Sequence, residues 1–322
     1  MNIKKDYRNC IQKKNFNQDV IILGSLNMDL NLETNRLPNI GETFEGSSFY
    51  VTPGGKGGNQ AVAVSRSSQL KNSTHMIATV GDDFFGKELI TFLVDEKIDT
   101  NNIHVANNVS SGIAVIFLFP DGENSVNAVF GANAIVNDQN VIAIKKLSYS
   151  SSILLCQHEI PLQVNLNCMK IAKENGLVTI LDPAPSKIVP KNYYDYIDII
   201  TPNALEAEYL SGVRIKNIND AKLAADKISA YGVKNVIITL GENGCWVLSN
   251  EYVGHIESHN VNVIASVAAG DAFNGCLASR LSEGFNLEQS VRFASVGAAL
   301  SVSKKGAQES MPYYQEIEKL LD

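Results

Sequence analysis

From about residue 20 onward, short continuous apolar runs alternate with stretches whose apolar residues return every three or four positions. Val20-Ile-Ile-Leu-Gly24 is one such run, closed by glycine, and it reads as a strand buried on both faces. Residues 76–80, 152–155, 177–181 and 197–200 read the same way, as does the β-branched Val236-Ile-Ile-Thr-Leu240. Helical periodicity falls between them, over 58–68, 86–96, about 161–175, 203–211 and 221–231. Strands alternating with helices predict an α/β fold of three α/β/α layers around a mainly parallel central sheet.

Two regions break this alternation. Over residues 30–51, Leu30-Asn-Leu-Glu33 and then Thr43 to Val51 mix polar with apolar positions, and Asp121-Gly122 between the strand-like runs 113–119 and 124–130 is a strong hairpin signal. These stretches predict a small antiparallel sheet standing off the main layers. Supplied discontinuously, from about 30–51 and 112–131, it reads as a lid on one domain covering 19–322. The first eighteen residues carry Lys4, Lys5, Arg8, Lys13 and Lys14 without an apolar stretch, so they read as a polar extension and not a secretory signal.

Composition narrows the partners. With 45% hydrophobic and 19% charged residues over 322 positions, the chain has the material for one sizeable core. A formal net charge of −7 argues against nucleic acid or an anionic membrane as the main partner. It leaves a nucleotide open, since clustered backbone N–H groups bind phosphate whatever the global charge. Cys10, Cys156, Cys168, Cys245 and Cys276 are scattered with no C-x-x-C pair, which fits reduced, buried thiols. No run is long enough to cross a bilayer, and a cytoplasmic location is expected.

Three segments carry candidate chemistry. In Ser266-Val-Ala-Ala-Gly-Asp-Ala-Phe-Asn-Gly275, small residues precede a helix, so the N–H groups of Ala268, Ala269 and Gly270 can converge where the helix dipole is positive. Asp271 at the mouth of that anion site would be a proton acceptor; a plain helix-capping Asp reads equally well. Pro53-Gly-Gly-Lys-Gly-Gly-Asn-Gln-Ala61 is not a Walker loop, because Gly57 rather than Ser or Thr follows Lys56. Its glycines let backbone wrap a small polar ligand and Asn59 can face sugar hydroxyls, although a flexible turn would look similar. In Gly24-Ser-Leu-Asn-Met-Asp29, Asn27 and Asp29 lie two apart at the end of the first strand and suit vicinal hydroxyls, or a turn.

Lesser pieces follow other strands: Gln157-His158-Glu159, Asp182-Pro-Ala-Pro185, Thr201-Pro-Asn203 and Thr239-Leu-Gly-Glu-Asn-Gly244. Asn203 and Glu206 fit a Mg²⁺–phosphate contact or a helix cap with its third-position carboxylate. His158 reads as a polar loop residue.

Taken in order, these segments resemble the ribokinase-like carbohydrate kinases, the PfkB family. Ile238-Thr-Leu-Gly241 and Lys305-Gly-Ala-Gln308 add to the match, which runs from about residue 19 to the C-terminus. The Gly-Gly-Lys-Gly-x-Asn-Gln form points to the ribose kinases within it. The resemblance implies ATP-dependent phosphorylation of D-ribose at its 5-hydroxyl, with Asp271 as general base beside the amides of Ala268, Ala269 and Gly270. It implies sugar contacts from Asn27, Met28, Asp29, Gly55, Lys56, Gly57, Gly58, Asn59 and Glu159. Nucleotide contacts would come from Asn203, Thr239, Leu240, Gly241, Glu242, Asn243, Gly244, Gly270 and Ser295, with Glu206 reaching Mg²⁺ through water. A homodimer through the lid is also implied.

One departure stands out. The family has Asp-Thr before the anion-site residues, and that Asp helps hold an activating K⁺; here the pair is Ala265-Ser266. Val267, Ser301, Lys304, Gly306 and Ser310 could still ring a cation, but without the carboxylate the site is expected to be weakened. The open alternatives are a kinase of deoxyribose, fructose, a nucleoside or pseudouridine, or a sugar-binding regulatory protein.

Overall fold

The computed structural model describes residues 19–69, 74–121, 123–136 and 138–321. In chain order the strands are β1 (Asp19–Leu23), β2 (Asn27–Glu33), β3 (Ser48–Gly54), β4 (Thr74–Gly81), β5 (Asp99–Ala106), β6 (Gly112–Leu118), β7 (Asn124–Val129), β8 (Ser151–Cys156), β9 (Val178–Leu181), β10 (Ile199–Ile200), β11 (Asn235–Thr239), β12 (Cys245–Leu248) and β13 (Val253–Ile256). The helices are α1 (Lys56–Ser67), α2 (Phe84–Asp95), α3 (Asp138–Leu147), α4 (Leu162–Glu174), α5 (Ala204–Ser211), α6 (Ile218–Ser229), α7 (Ala269–Ser282), α8 (Leu287–Val302) and α9 (Tyr314–Leu321).

Nine strands form the main sheet in the order β13-β12-β11-β10-β9-β8-β1-β4-β5. It is parallel except for β12 and β13, which close one edge antiparallel. The continuous apolar runs are explained by cover on both faces. Val20 and Ile22 of β1 pack with Ala61 of α1, Phe273 of α7 and Val291 of α8. The alternate residues Ile21 and Leu23 pack on the other side with Leu166 of α4 and Ala224 of α6.

The second sheet has the order β3-β2-β6-β7. Its β2–β3 and β6–β7 pairs are antiparallel, as the alternating pattern predicts, and a parallel β2–β6 pairing joins them. Gly122 of the expected hairpin turn lies outside the described residues, as does the expected extension at 1–18.

Some boundaries differ from the sequence reading. Helix α1 begins at Lys56, two residues earlier than periodicity suggests, and the glycines are its first turn. A Cβ at Gly57 would stand 2.7 Å from the backbone of Gly24 and Ser25, so glycine serves close approach there and not a flexible loop. Strand β10 has only two residues, although the Asp198 N–H still donates to the Thr179 carbonyl of β9 (3.0 Å). Strand β5, the β12–β13 edge and helices α3, α8 and α9 were not read from the sequence. Helices α1 and α7 also meet closely: a Cβ at Gly275 would fall 2.4 Å from Ala63 Cβ and 2.8 Å from the Gln60 carbonyl.

His75 at the start of β4 sits between Asp99 (Nδ1 to Oδ2, 2.9 Å) and Asp19 (Nε2 to Oδ2, 3.1 Å). Burial opposes its protonation, but the hydrogen bonds to the two carboxylates prevail and raise its pKa above 6.5. The bound proton therefore favours the folded state. This contribution is complete below pH 6.5 and lost as pH rises through the raised value. Denaturant melts across that window should show it fade, and His75→Gln should abolish that part of the pH dependence. An unchanged profile in the variant would refute the assignment.

Candidate active site

The carboxyl ends of the parallel strands face the first turns of α1, α5 and α7, where ligands bind in open α/β sheets. Ala268 caps α7 in the left-handed region, with φ 61° and ψ 12°. This conformation is costly for a residue with a Cβ, and it turns the chain so that the helix starts at Ala269. The first N–H groups of a helix have no acceptor within it and lie at its positive end. The space before them is open: a Cβ at Gly270 would meet no atom within 4 Å.

Asp271 is the third residue of α7 and is only 3% exposed. Its Oδ2 accepts a hydrogen bond from Asn59 Nδ2 (2.8 Å) and its Oδ1 accepts one from Gln60 Nε2 (3.0 Å). The Lys56 ammonium stands 3.7 Å from Asp271 and 3.9 Å from Asp182. Burial disfavours the Lys56 charge, yet Asp271, Asp182, Glu159 and Glu206 outweigh it and raise its pKa further. Burial pushes Asp182 up to about 7, with Lys56 opposing and Asp271 and Glu206 reinforcing.

Toward β2, Asn27 and Asp29 share one face of the strand and are both buried, as their spacing predicts. Burial, with Glu159, Glu309 and Asp271 nearby, raises Asp29 to about 7. Asn27 Oδ1 accepts from Asn133 Nδ2 (2.8 Å), and Asn133 also exchanges hydrogen bonds with the Leu26 backbone. Asn59 Oδ1 is buried without a partner among the described residues, an acceptor that a ligand hydroxyl can satisfy. Glu159 is committed to the loops: its Oε2 accepts from Ser25 Oγ and from the Lys56 backbone N–H (3.1 Å). Gly55 takes φ 83°, and a Cβ there would meet Asn27 N at 2.7 Å. Gly58 packs against the Gln308 amide, which donates to the Gly54 carbonyl.

Met28 is placed differently from expectation. Strand alternation turns it into the apolar core, beside a groove lined by Val51, Pro53, Phe84, Phe85 and Phe92, away from Asn27 and Asp29. His158 is a polar loop residue, as read, but it is fully buried, and burial lowers its pKa to about 4.

On the far side, Asn203 and Glu206 form a capping box at α5, so the capping alternative describes their mutual contacts. Burial raises the Glu206 pKa despite the opposing Asn203 backbone bond. Thr201 Oγ1 donates to Asn274 Oδ1 (2.6 Å) and Asn274 Nδ2 to the Gly270 carbonyl (3.0 Å), which ties this loop to the start of α7. Thr239 ends β11, and Leu240 leads into a single 3₁₀ turn of Gly241, Glu242 and Asn243, with Gly244 at φ 75°. Ser295 lies on α8 beneath this turn, within hydrogen-bonding reach of the Cys245 thiol.

The backbone N–H groups of Ile264 and Ala265 both donate to the Val302 carbonyl (2.7 and 3.1 Å), which brings Ala265 beside residues 301–306. The side chains there are already engaged: Ser301 Oγ with the Ala298 carbonyl, Ser310 Oγ with the Ala307 carbonyl, and Lys304 Nζ with Glu316. Cation ligands from this region would therefore be chiefly carbonyls, including those of Val267 and Gly306. Among the described residues no three His, Cys, Asp or Glu side chains converge as a metal site.

A family model described as pfkB family carbohydrate kinase matches residues 17–313. The chain belongs to this family. Ribokinase of Haemophilus influenzae is 36% identical over 301 residues, covering 94% of this chain and 97% of that protein. Ribokinase of Staphylococcus aureus is 34% identical over 303 residues, covering 94% and 99%. Among solved structures, Arabidopsis thaliana ribokinase complexed with ribose and ATP superposes with a TM-score of 0.87 at 31% identity, covering 94% of this chain and 98% of that one.

In this pfkB family member the three motifs do converge, through partners the sequence reading missed. Asn133 reaches Asn27 from 106 residues away with no local signal. Gln60 had one: four residues after Lys56, it shares that side of the α1 first turn.

Proposed function

We propose that the protein transfers the γ-phosphoryl group of ATP to the 5-hydroxyl of D-ribose. The observation that carries this is a buried Asp271 at the open N-terminus of α7, hydrogen-bonded to Asn59 in the cleft that also holds Asn27 and Asp29. The similarity to ribokinases over nearly the full chain supports the choice of sugar.

In the proposed reaction the sugar 5-oxygen attacks the γ-phosphorus as its proton passes to Asp271. The bond from phosphorus to the β–γ bridging oxygen breaks, and its electron pair leaves with ADP. Asn27, Asp29 and Asn59 orient the sugar; the amides at Ala269 and Gly270 receive charge spread over the transferring oxygens. Glu206 and Asn203 fit a Mg²⁺ held mainly by nucleotide phosphates and water, which would supply further charge neutralisation. The turn from Thr239 to Gly244 is the proposed cradle for the nucleotide phosphates, with Ser295 nearby. The β3-β2-β6-β7 sheet is proposed to close over the sugar and exclude water, and to pair with its copy in a homodimer. A cytoplasmic location fits these substrates.

Ala265 places a methyl group where the family has a carboxylate, so the proposed cation ring is neutral. Sugar-dependent ADP release should be measured with ribose, deoxyribose, fructose and nucleosides, in K⁺ and in a large organic cation. Preference for ribose in both salts is expected, with K⁺ activation absent or confined to high concentration. Saturation at low millimolar K⁺ would refute the cation inference, and no turnover of any sugar would refute the kinase reading.

A further inference from the structure

Two buried carboxylates in the cleft share one amide. Gln60 is fully buried, and its Nε2 donates to both Asp271 Oδ1 (3.0 Å) and Asp182 Oδ2 (2.8 Å). Its Oε1 accepts from Gln157 Nε2 (2.6 Å), and the Gln157 carbonyl accepts from Asn165 Nδ2 (2.6 Å). The direction of this chain is settled by chemistry. As a base Asp271 is ionised and can only accept, so the amide nitrogen must face it and the amide oxygen is left toward Gln157. An amide nitrogen carries two hydrogens, and here each serves one carboxylate. The Lys56 ammonium makes the same division, 3.7 Å from Asp271 and 3.9 Å from Asp182.

We propose that Gln60 is a positioning residue for the base, holding the Asp271 carboxylate in one orientation, and that Asp182 is the anchor that keeps Gln60 and Lys56 in place. This rests on the kinase reading above. A general base must present one lone pair to the hydroxyl it deprotonates, and small misplacements of such a group are costly. With Asn59 on Oδ2 and Gln60 on Oδ1, rotation about the Cβ–Cγ bond would break two hydrogen bonds at once. A neutral donor on Oδ1 fixes the carboxylate while weakening its basicity less than a second cation would. The hydrogen bonds of Asp182 run to Gln60 and, through its backbone N–H, to the Cys156 carbonyl (2.9 Å). Burial, with Asp271 and Glu206 and against Lys56, raises Asp182 to about 7, so its hold on Lys56 should weaken as pH falls through neutrality.

The test is steady-state kinetics of the full chain with Mg-ATP and the sugar the parent turns over best. Gln60→Met keeps the volume and removes both donors. It is expected to lower kcat about 10–100-fold, less than removal of the base itself. The sugar KM should stay within about threefold, because Asn27, Asp29 and Asn59 are untouched. Asp182→Asn retains an acceptor for the Gln60 amide and should lose less kcat than Asp182→Ala. Thermal melts of each variant separate lost packing from lost positioning. Should Gln60→Met unfold, the order of the two Asp182 variants decides the matter. A kcat within twofold of the parent, a loss confined to KM, or equal kcat in Asp182→Asn and Asp182→Ala would overturn the proposal. Parent inactivity toward every sugar would instead overturn the kinase reading.

Discussion

Asp271→Asn is expected to lower turnover by about 10²–10⁴-fold, the usual range for loss of a general base. The substitution preserves size and leaves α7 intact, so the fold and nucleotide binding should survive. An amide in place of the carboxylate offers one acceptor where Asn59 and Gln60 now find two. It can hold the sugar hydroxyl but cannot take its proton. Lys56 would keep Asp182 as its nearest counter-charge, so the ammonium would not be stranded. ADP release with ribose reads the rate, and calorimetric titration with nucleotide reads binding. Near-parental turnover would end the assignment of Asp271 as base, whatever the family resemblance.

Gly275→Ala should strain the crossing of α1 and α7 with a single added carbon. The added methyl would be 2.4 Å from Ala63 Cβ, 2.8 Å from the Gln60 carbonyl and 3.0 Å from the Val64 nitrogen. All three belong to α1, two of them are backbone atoms, and none can swing aside. Helices α1 and α7 must therefore separate, at a cost of about 1–3 kcal/mol for overpacking of this kind. Lys56, Asn59 and Gln60 ride on α1 while Asp271 rides on α7, so the same displacement lengthens the contacts that hold the base. A lower melting temperature together with reduced kcat is the expected result. A variant as stable as the parent would show that the two helices can shift freely, and would remove the argument that their crossing sets the site.

The two effects come from residues whose types were readable and whose reasons were not. Gly57 and Gly275 advertise freedom of backbone in a sequence, yet here both serve close approach, one to the Gly24–Ser25 turn and one to α1. Asn203 and Glu206 were legible as a cap, because a capping box is a local pattern three residues long. Asn27 and Asp29 were legible as a pair because a strand repeats every two residues. The same rule, applied to Met28, sends it to the opposite face, which motif matching alone overlooks. The expected lid sheet was visible as alternation, but its parallel β2–β6 junction joins strands far apart in the chain and leaves no periodic trace.

By itself the sequence determined the alternation of strands β1, β4, β8, β9, β10 and β11 with helices α1, α2, α4, α5 and α6, the two-faced burial of β1, the glycine-rich segment that opens α1 and Asp271 as the candidate base. Propensity and hydrophobic period act over a turn or a strand, and those features need no more. Only the tertiary structure decided that Asn59 and Gln60 clasp Asp271, that Asp182 shares the Gln60 amide, and that Asn133 steadies Asn27. The partners of a buried carboxylate are chosen by where helices cross and strands end. Residues 60, 182 and 271 meet because Gly275 lets α1 and α7 touch at the end of β9.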